Sequence, residues 1–194
     1  MSMRALTSFA DTIRAELRSV HRDIDHHPLL APLVRDGLTL QTYGDAIAAL
    51  HAPLMELETR VGLLAAEGQK SLYQSRHPLL EHDLARLGRF PIPLQSPPLP
   101  VLTRQELLGV LYVLAGSCLG GAVIARQLKK SLPPGAPIRF FGAGDGEAQW
   151  RGYWQYLQSQ DFDEDVLALI ISGAKAGFSL YLGHLNHCNI QPGN

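Results

Sequence analysis

The chain is poor in several things, and each shortage excludes something. It has two cysteines in 194 residues, Cys118 and Cys188, too few for a disulfide framework, which points to a reducing, cytoplasmic setting. Charged residues make up 18% and the net charge is −1, so the overall field does not favour nucleic acid, and no Lys/Arg stripe with interleaved aromatics occurs. The first residues carry Arg4, Asp11 and Arg14 without an apolar stretch, so no secretory signal is expected. Alternation long enough for a β-strand is missing, which argues against a sheet. The zinc pattern His-Glu-x-x-His, paired cysteine ligands and the Gly-x-Ser-x-Gly elbow are also missing. Gly142-x-Gly-x-Gly146 follows no strand, so it is not a nucleotide loop, and no flavin or nicotinamide motif is found.

What is present is helical periodicity. Phe9, Ile13, Leu17, Val20 and Ile24 predict an amphipathic helix from Ser8 to about His26. A second runs from the candidate cap Thr39 to about Ala66, kinked at Pro53 and ended by Gly68. A third spans Ser71 to Leu87, broken near Pro78 and closed by Gly88. Pro91 to Pro100 reads as loop. Thr103-Arg-Gln-Glu106 is a capping box opening a long helix to about Ser131. After Pro133-Pro134-Gly135, Ile138 to Gly142 reads as a short apolar link. Glu147 to Gln158 and Asp161 to His187 then read as the last two helices, followed by a frayed tail from Gln191 to Asn194. No internal repeat or linker divides the chain, so residues 1–194 are expected to form one all-α domain.

The long fourth helix carries Gly116, Gly120 and Gly121, although each interior glycine costs about 1 kcal/mol against alanine. Leu107 to Ala125 holds no charge and is long enough to span a bilayer. Its glycines, the lack of an aromatic belt and of a second span favour a central helix buried all round instead. Gly109, Gly116 and Gly120 share one face, and Gly173 and Gly177 share another. Two such stripes suit either close helix packing or a flat ligand pressed against bare backbone.

Eight histidines are the other candidates for chemistry. His184-x-x-His187 lacks acidic companions. His21 has Asp25 one turn on and Arg14 two turns back on the same side. A carboxylate there would hold the Nδ1 proton and leave Nε2 free for a metal. The same spacing also describes an ordinary solvated pair. Ser117 has no evident base partner, and Trp150, Tyr153, Trp154 and Tyr156 read as packing residues.

Taken together, Ile13 to Asp25 and Leu111-Tyr-Val-Leu-Ala-Gly-Ser-Cys-Leu-Gly-Gly121 resemble the proximal and distal helices of the heme oxygenase family. The resemblance is closest to its bacterial branch, which includes biliverdin-forming enzymes found beside bacterial phytochromes. It implies an all-α, single-domain helical bundle and heme as both substrate and cofactor. It also implies His21 as iron ligand, Asp25 orienting it, and Arg14 at a propionate. Tyr112 and Arg126 are further propionate candidates, and Gly116, Ser117 and Gly120 form the distal wall that binds heme and orders water. Two departures are visible: Ser117 stands where animal members have aspartate, and Ala115 where many bacterial members have glutamate. The implied reaction opens heme to biliverdin with release of CO and iron. It uses O2 and an external electron donor, a ferredoxin or reductase, and it would supply biliverdin to a phytochrome; Arg126, Lys129 and Lys130 suit either a surface that meets this donor or cations complementing the helix C-terminus. A non-catalytic heme-storage, transport or sensing protein of the same fold is the alternative.

Overall fold

A computed structural model describes the backbone of residues 3–142 and 144–190, with side chains from 9 to 188 within that span. Helix α1, Met3–Asp25, buries Phe9, Ile13 and Leu17 at helical spacing and leaves Arg14, Arg18 and Arg22 outside. A 3-10 turn, Ala31–Val34, follows. Helix α2, Leu40–Leu64, starts where the Thr39 side chain accepts the Thr42 amide at 3.1 Å, and it carries Pro53 inside. It stops at Ala65, earlier than Gly68, which lies instead in the short helix α3, Glu67–Lys70.

The third predicted helix is much shorter than expected. Helix α4 spans His77–Leu87, with Pro78 in its first turn, where proline's missing amide costs nothing. Gly88 closes it in the left-handed conformation, φ +62. Residues 71–76 are drawn out of helix because Tyr73, Ser75 and Arg76 bond a buried carboxylate described below. Residues 91–103 are free of regular structure.

Helix α5, Arg104–Ser131, opens on the capping box, with the Glu106 amide on Thr103 Oγ1 at 3.2 Å and the Thr103 amide on Glu106 Oε2 at 2.9 Å. The predicted apolar link forms one helical turn, α6, Arg139–Gly142. Helix α7 is Gly146–Ser159, capped by Asp145, and α8 is Glu164–Ile190, whose Val166 amide is taken up by Asp163. Residues 191–194, read as a frayed tail, lie outside the described residues.

Helix α5 is the centre of the bundle and packs most extensively on α8, then α7. Where α5 and α8 cross, glycines set the distance. A Cβ on Gly109 would run into the backbone of Ile170 and Ala174, and one on Gly173 into that of Glu106. Burial all round holds for only part of α5. Leu107 to Ala115 are buried, but Ser117, Leu119, Gly120 and Val123 are exposed because a cleft opens there. Both α5 and α8 are long and apolar enough to cross a membrane by length and composition, so α5 does have a second such companion.

Candidate heme site

The cleft measures about 730 Å3, and its lining is mostly apolar. Its walls come from the end of α1 and the following turn, α5 from Tyr112 onward, α6, Arg76 ahead of α4, single residues of α2 and α7, and Phe178 and Tyr181 of α8. The glycines of α5 explain why there is room. A Cβ on Gly120 would meet nothing within 4 Å, and one on Gly116 would meet only the Trp150 ring, at 3.5 Å. Helix backbone therefore forms a bare strip of wall, and the cost of two interior glycines is matched by no packing gain inside the protein.

His21 and Asp25 both line this cleft. The His21 Nδ1 lies 3.0 Å from Asp25 Oδ2, and Phe178 of α8 meets the imidazole edge-on at 5.7 Å. A carboxylate at Nδ1 selects the tautomer with the proton there and leaves the Nε2 lone pair free. His26 lines the cleft as well, but its Nδ1 donates to the Arg22 carbonyl at 2.8 Å, a weaker acceptor. His27 is buried, with Nδ1 accepting the Leu29 amide at 3.3 Å, and is not part of the lining. His184 is fully buried between Gln95 and Cys188, whereas His187 is exposed, so that histidine pair does not converge. Among the described residues no group of three or more His, Cys, Asp or Glu forms a metal cluster.

The other predicted site residues divide. Tyr112 lines the cleft, inside an aromatic group with Trp150, Tyr153 and Trp154; burial raises its phenol pKa, and nearby Arg14 partly opposes this. Trp150, read as a packing residue, is also part of the wall. Arg14 does not line the cleft. It lies over the Trp154 ring at 5.5 Å and pairs with Asp11 at 3.4 Å, just behind Tyr112. Arg126 is exposed and is not a lining residue either. Ala115 is fully buried outside the cleft. The expected basic end is split, since Lys130 is tied to Asp36 at 2.8 Å while Lys129 faces elsewhere.

Sequence reasoning missed Arg76. It is buried, lines the cleft, and its Nη2 donates to Ser117 Oγ at 2.5 Å; Ser117 in turn donates to the Leu114 carbonyl at 2.7 Å. The Phe140 ring covers the guanidinium at 4.8 Å. Behind it stands Glu58 of α2, which accepts from Tyr73 at 2.6 Å, Ser75 at 2.5 Å and the Arg76 amide at 2.8 Å, and contacts His77 Nδ1 at 2.7 Å. Burial pushes the Glu58 pKa up, but these bonds together outweigh it and hold the carboxyl below its ordinary value. The cleft floor thus holds one fixed cation and one serine whose hydroxyl is oriented from both sides. Cys118, next in the chain, is a buried thiol whose pKa is raised by desolvation, which disfavours the thiolate.

A protein named heme oxygenase, from Xanthomonas campestris pv. campestris (strain 8004), is 31% identical over 164 residues, covering 82% of this chain and 96% of its own. The chain belongs to the heme oxygenase family. Heme oxygenase structures share its fold as well. That from Leptospira interrogans has a TM-score of 0.69 at 20% identity, covering 93% of this chain and 99% of its own. The NO- and CO-bound heme oxygenase from Neisseria meningitidis has 0.65 at 18%, covering 96% and 94%. Heme oxygenase-1 from Synechocystis in complex with heme has 0.64 at 14%, covering 92% and 91%. No family model matches the chain. Family membership accords with the all-α architecture and with a cleft walled by the two helices that carry the sequence resemblance.

Proposed function

We propose that the cleft binds heme and that the protein is a heme oxygenase in activity as well as family, opening the macrocycle to biliverdin with release of CO and iron. The observation that carries this reading is one cleft in which a carboxylate-backed imidazole and a side-chain-free strip of helix are both wall residues. The lining fits the ligand: a volume of about 730 Å3 within the usual range for cofactor sites, apolar walls and an imidazole nitrogen with a free lone pair. Bound there, heme would supply the oxygen chemistry itself, and the protein would supply position and polarity.

In this reading His21 would hold the heme iron through its free Nε2. Asp25 keeps the Nδ1 proton in place and raises the donor strength of the ring. Gly116 and Gly120 leave space on the distal side, where a larger side chain would stand in the way of a planar ring and of O2. Ser117, whose hydroxyl accepts from Arg76 and donates to the Leu114 carbonyl, keeps one lone pair to accept from water and so orders it on that side. Tyr112, with Arg14 behind it, forms the end toward which a propionate would point, and Arg126 is too far along α5 to join the cleft wall. Electrons come from an external carrier, and the biliverdin passes to an acceptor of the phytochrome type, in the cytoplasm.

Hemin titration followed by addition of a reductant in air tests the proposal. The expected result is a Soret band that appears on titration and gives way to the biliverdin spectrum. Stable, reducible heme would instead favour a storage, transport or sensing protein. His21→Ala should remove the histidine-ligated spectrum while His26→Ala keeps it, and the reverse outcome would move the ligand to His26.

A further inference from the structure

Gly121 differs from its neighbours Gly116 and Gly120 in what it faces. It is buried and lines the cleft, and a Cβ there would stand 3.5 Å from the Phe141 ring and 3.6 Å from Arg76 Nη1. These are ordinary van der Waals distances, so the missing side chain leaves a methyl-sized recess beside a guanidinium nitrogen.

That guanidinium lacks acceptors. Arg76 is 5% exposed; its Nε donates to the Tyr73 hydroxyl at 3.4 Å and its Nη2 to Ser117 Oγ at 2.5 Å. Among the described residues Nη1 has no acceptor, and no carboxylate forms an ion pair with Arg76. An arginine cannot shed its charge, so a buried one is costly until it is paired. Glu58 does not pair it directly. Its oxygens are taken up by Tyr73, Ser75, the Arg76 amide and His77, and they meet the guanidinium only through the Tyr73 hydroxyl. Asp25, the acid in the cleft lining, is engaged with His21 at 3.0 Å. The Phe140 ring lies over the guanidinium at 4.8 Å, and hydrogen bonds from Nη1 leave in the guanidinium plane, at the edge beside Gly121. Tyr181, also in the lining, adds a hydroxyl without a partner among the described residues. Burial raises its phenol pKa and Arg76 partly opposes this, so it shares the same field.

We propose that this recess binds a small planar oxyanion of the carboxylate class, such as formate or bicarbonate, on Arg76 Nη1 beside Gly121. A carboxylate matches the planar fork of an arginine, and a recess left by one missing Cβ suits an anion of a few heavy atoms. A heme propionate is a carboxylate too. Bringing the charged edge of heme to a residue this deeply buried would strip both propionates of water for a single cation, whereas a free anion brings only the charge that Arg76 lacks. The anion therefore shares the cleft with heme. That sharing rests on the heme reading above; the anion site itself does not.

The test titrates 13C-labelled formate and bicarbonate into the full chain at constant ionic strength and reads binding from the NMR line width, first without heme and then with hemin loaded. At least one of them should bind saturably in both states and resist displacement by chloride and inorganic phosphate. Tighter binding of bicarbonate makes dissolved CO2 the source of the ligand, and tighter binding of formate makes it a metabolic carboxylate. Gly121→Ala should weaken binding about tenfold or more by filling the recess, with a melting temperature at or above that of the parent, because its Cβ makes only ordinary contacts. Ser117→Asp brings a fixed carboxylate to Arg76 and should remove anion binding, while the uncharged Ser117→Asn keeps it. The proposal is overturned if neither anion saturates the parent, or if Gly121→Ala and Ser117→Asp bind as the parent does. Displacement by chloride or phosphate overturns the carboxylate class, and competitive displacement by hemin overturns the site by assigning Arg76 to a propionate. Failure of hemin to bind with anion binding intact would count against the heme reading and leave the anion site standing.

Discussion

The two halves of α5 use glycine for opposite purposes. In the first half Gly109 is pressed against α8, where even a methyl group would meet backbone. In the second half Gly116 and Gly120 face a cleft, and Gly120 has nothing within reach of an added methyl. Their spacings of seven and four put all three on one face, so the difference does not lie in α5 itself. It lies in the partner. Helix α8 covers α5 as far as Val113, against which Gly177 packs, and beyond it the Arg76 and Phe140 layer stands back. One glycine stripe therefore closes a bundle at one end and opens a ligand site at the other.

The sharpest way to break this comparison is Gly109→Ala. Backbone cannot move aside as a side-chain tip can, so the expected loss is about 3 kcal/mol or more in a thermal or urea melt. A neutral result would mean that the α5–α8 crossing is loose and that the two halves do not differ. Next in size is Glu58→Gln, which disturbs the bonds that set Arg76 behind the second half; it should cost about 2 kcal/mol. The sign of its pH dependence follows from the depressed pKa. The folded state binds the Glu58 proton less readily than the unfolded chain, so the stabilisation is complete well above the ordinary value of 4.5 and is lost as pH falls through the folded value. Stability against pH should fall less steeply in that acid range for Glu58→Gln than for the parent.

His184 adds a loss at higher pH. Its burial disfavours the charged ring and lowers the pKa, so stability present above 6.5 declines as pH drops below it, and His184→Gln should remove that component. Smallest in stability is Gly120→Ala, which should be neutral or gain up to about 1 kcal/mol from helix propensity. A clear loss of stability there would show that Gly120, like Gly109, is held by packing.

Much of this was legible before the structure. Thr103 and Glu106 gave away the start of α5 because a capping box is local, and His21 with Asp25 is an i, i+4 pair on one helix. Arg76 was not legible, because it reaches Ser117 across 41 positions and only the fold brings them together. A signal did exist. Glu58 sits among Leu54, Leu57 and Val61 on the apolar side of α2, and a buried carboxylate there needs donors. Tyr73-Gln-Ser-Arg-His77 is a dense set of such donors just before a proline. The same demand explains why that segment is not helix. The division of α5 was illegible for a related reason: periodicity reports a face but not where a neighbouring helix leaves it.

Hemin titration of Gly120→Leu, with its melting curve recorded beside it, tests the central claim most directly. The side chain would start from a position where an added Cβ has nothing within 4 Å and would extend into the cleft that Gly120 lines. The account predicts a melting temperature at or above that of the parent and hemin binding weaker by about tenfold, or about 1.4 kcal/mol. Unchanged hemin affinity in a well-folded Gly120→Leu protein would contradict it.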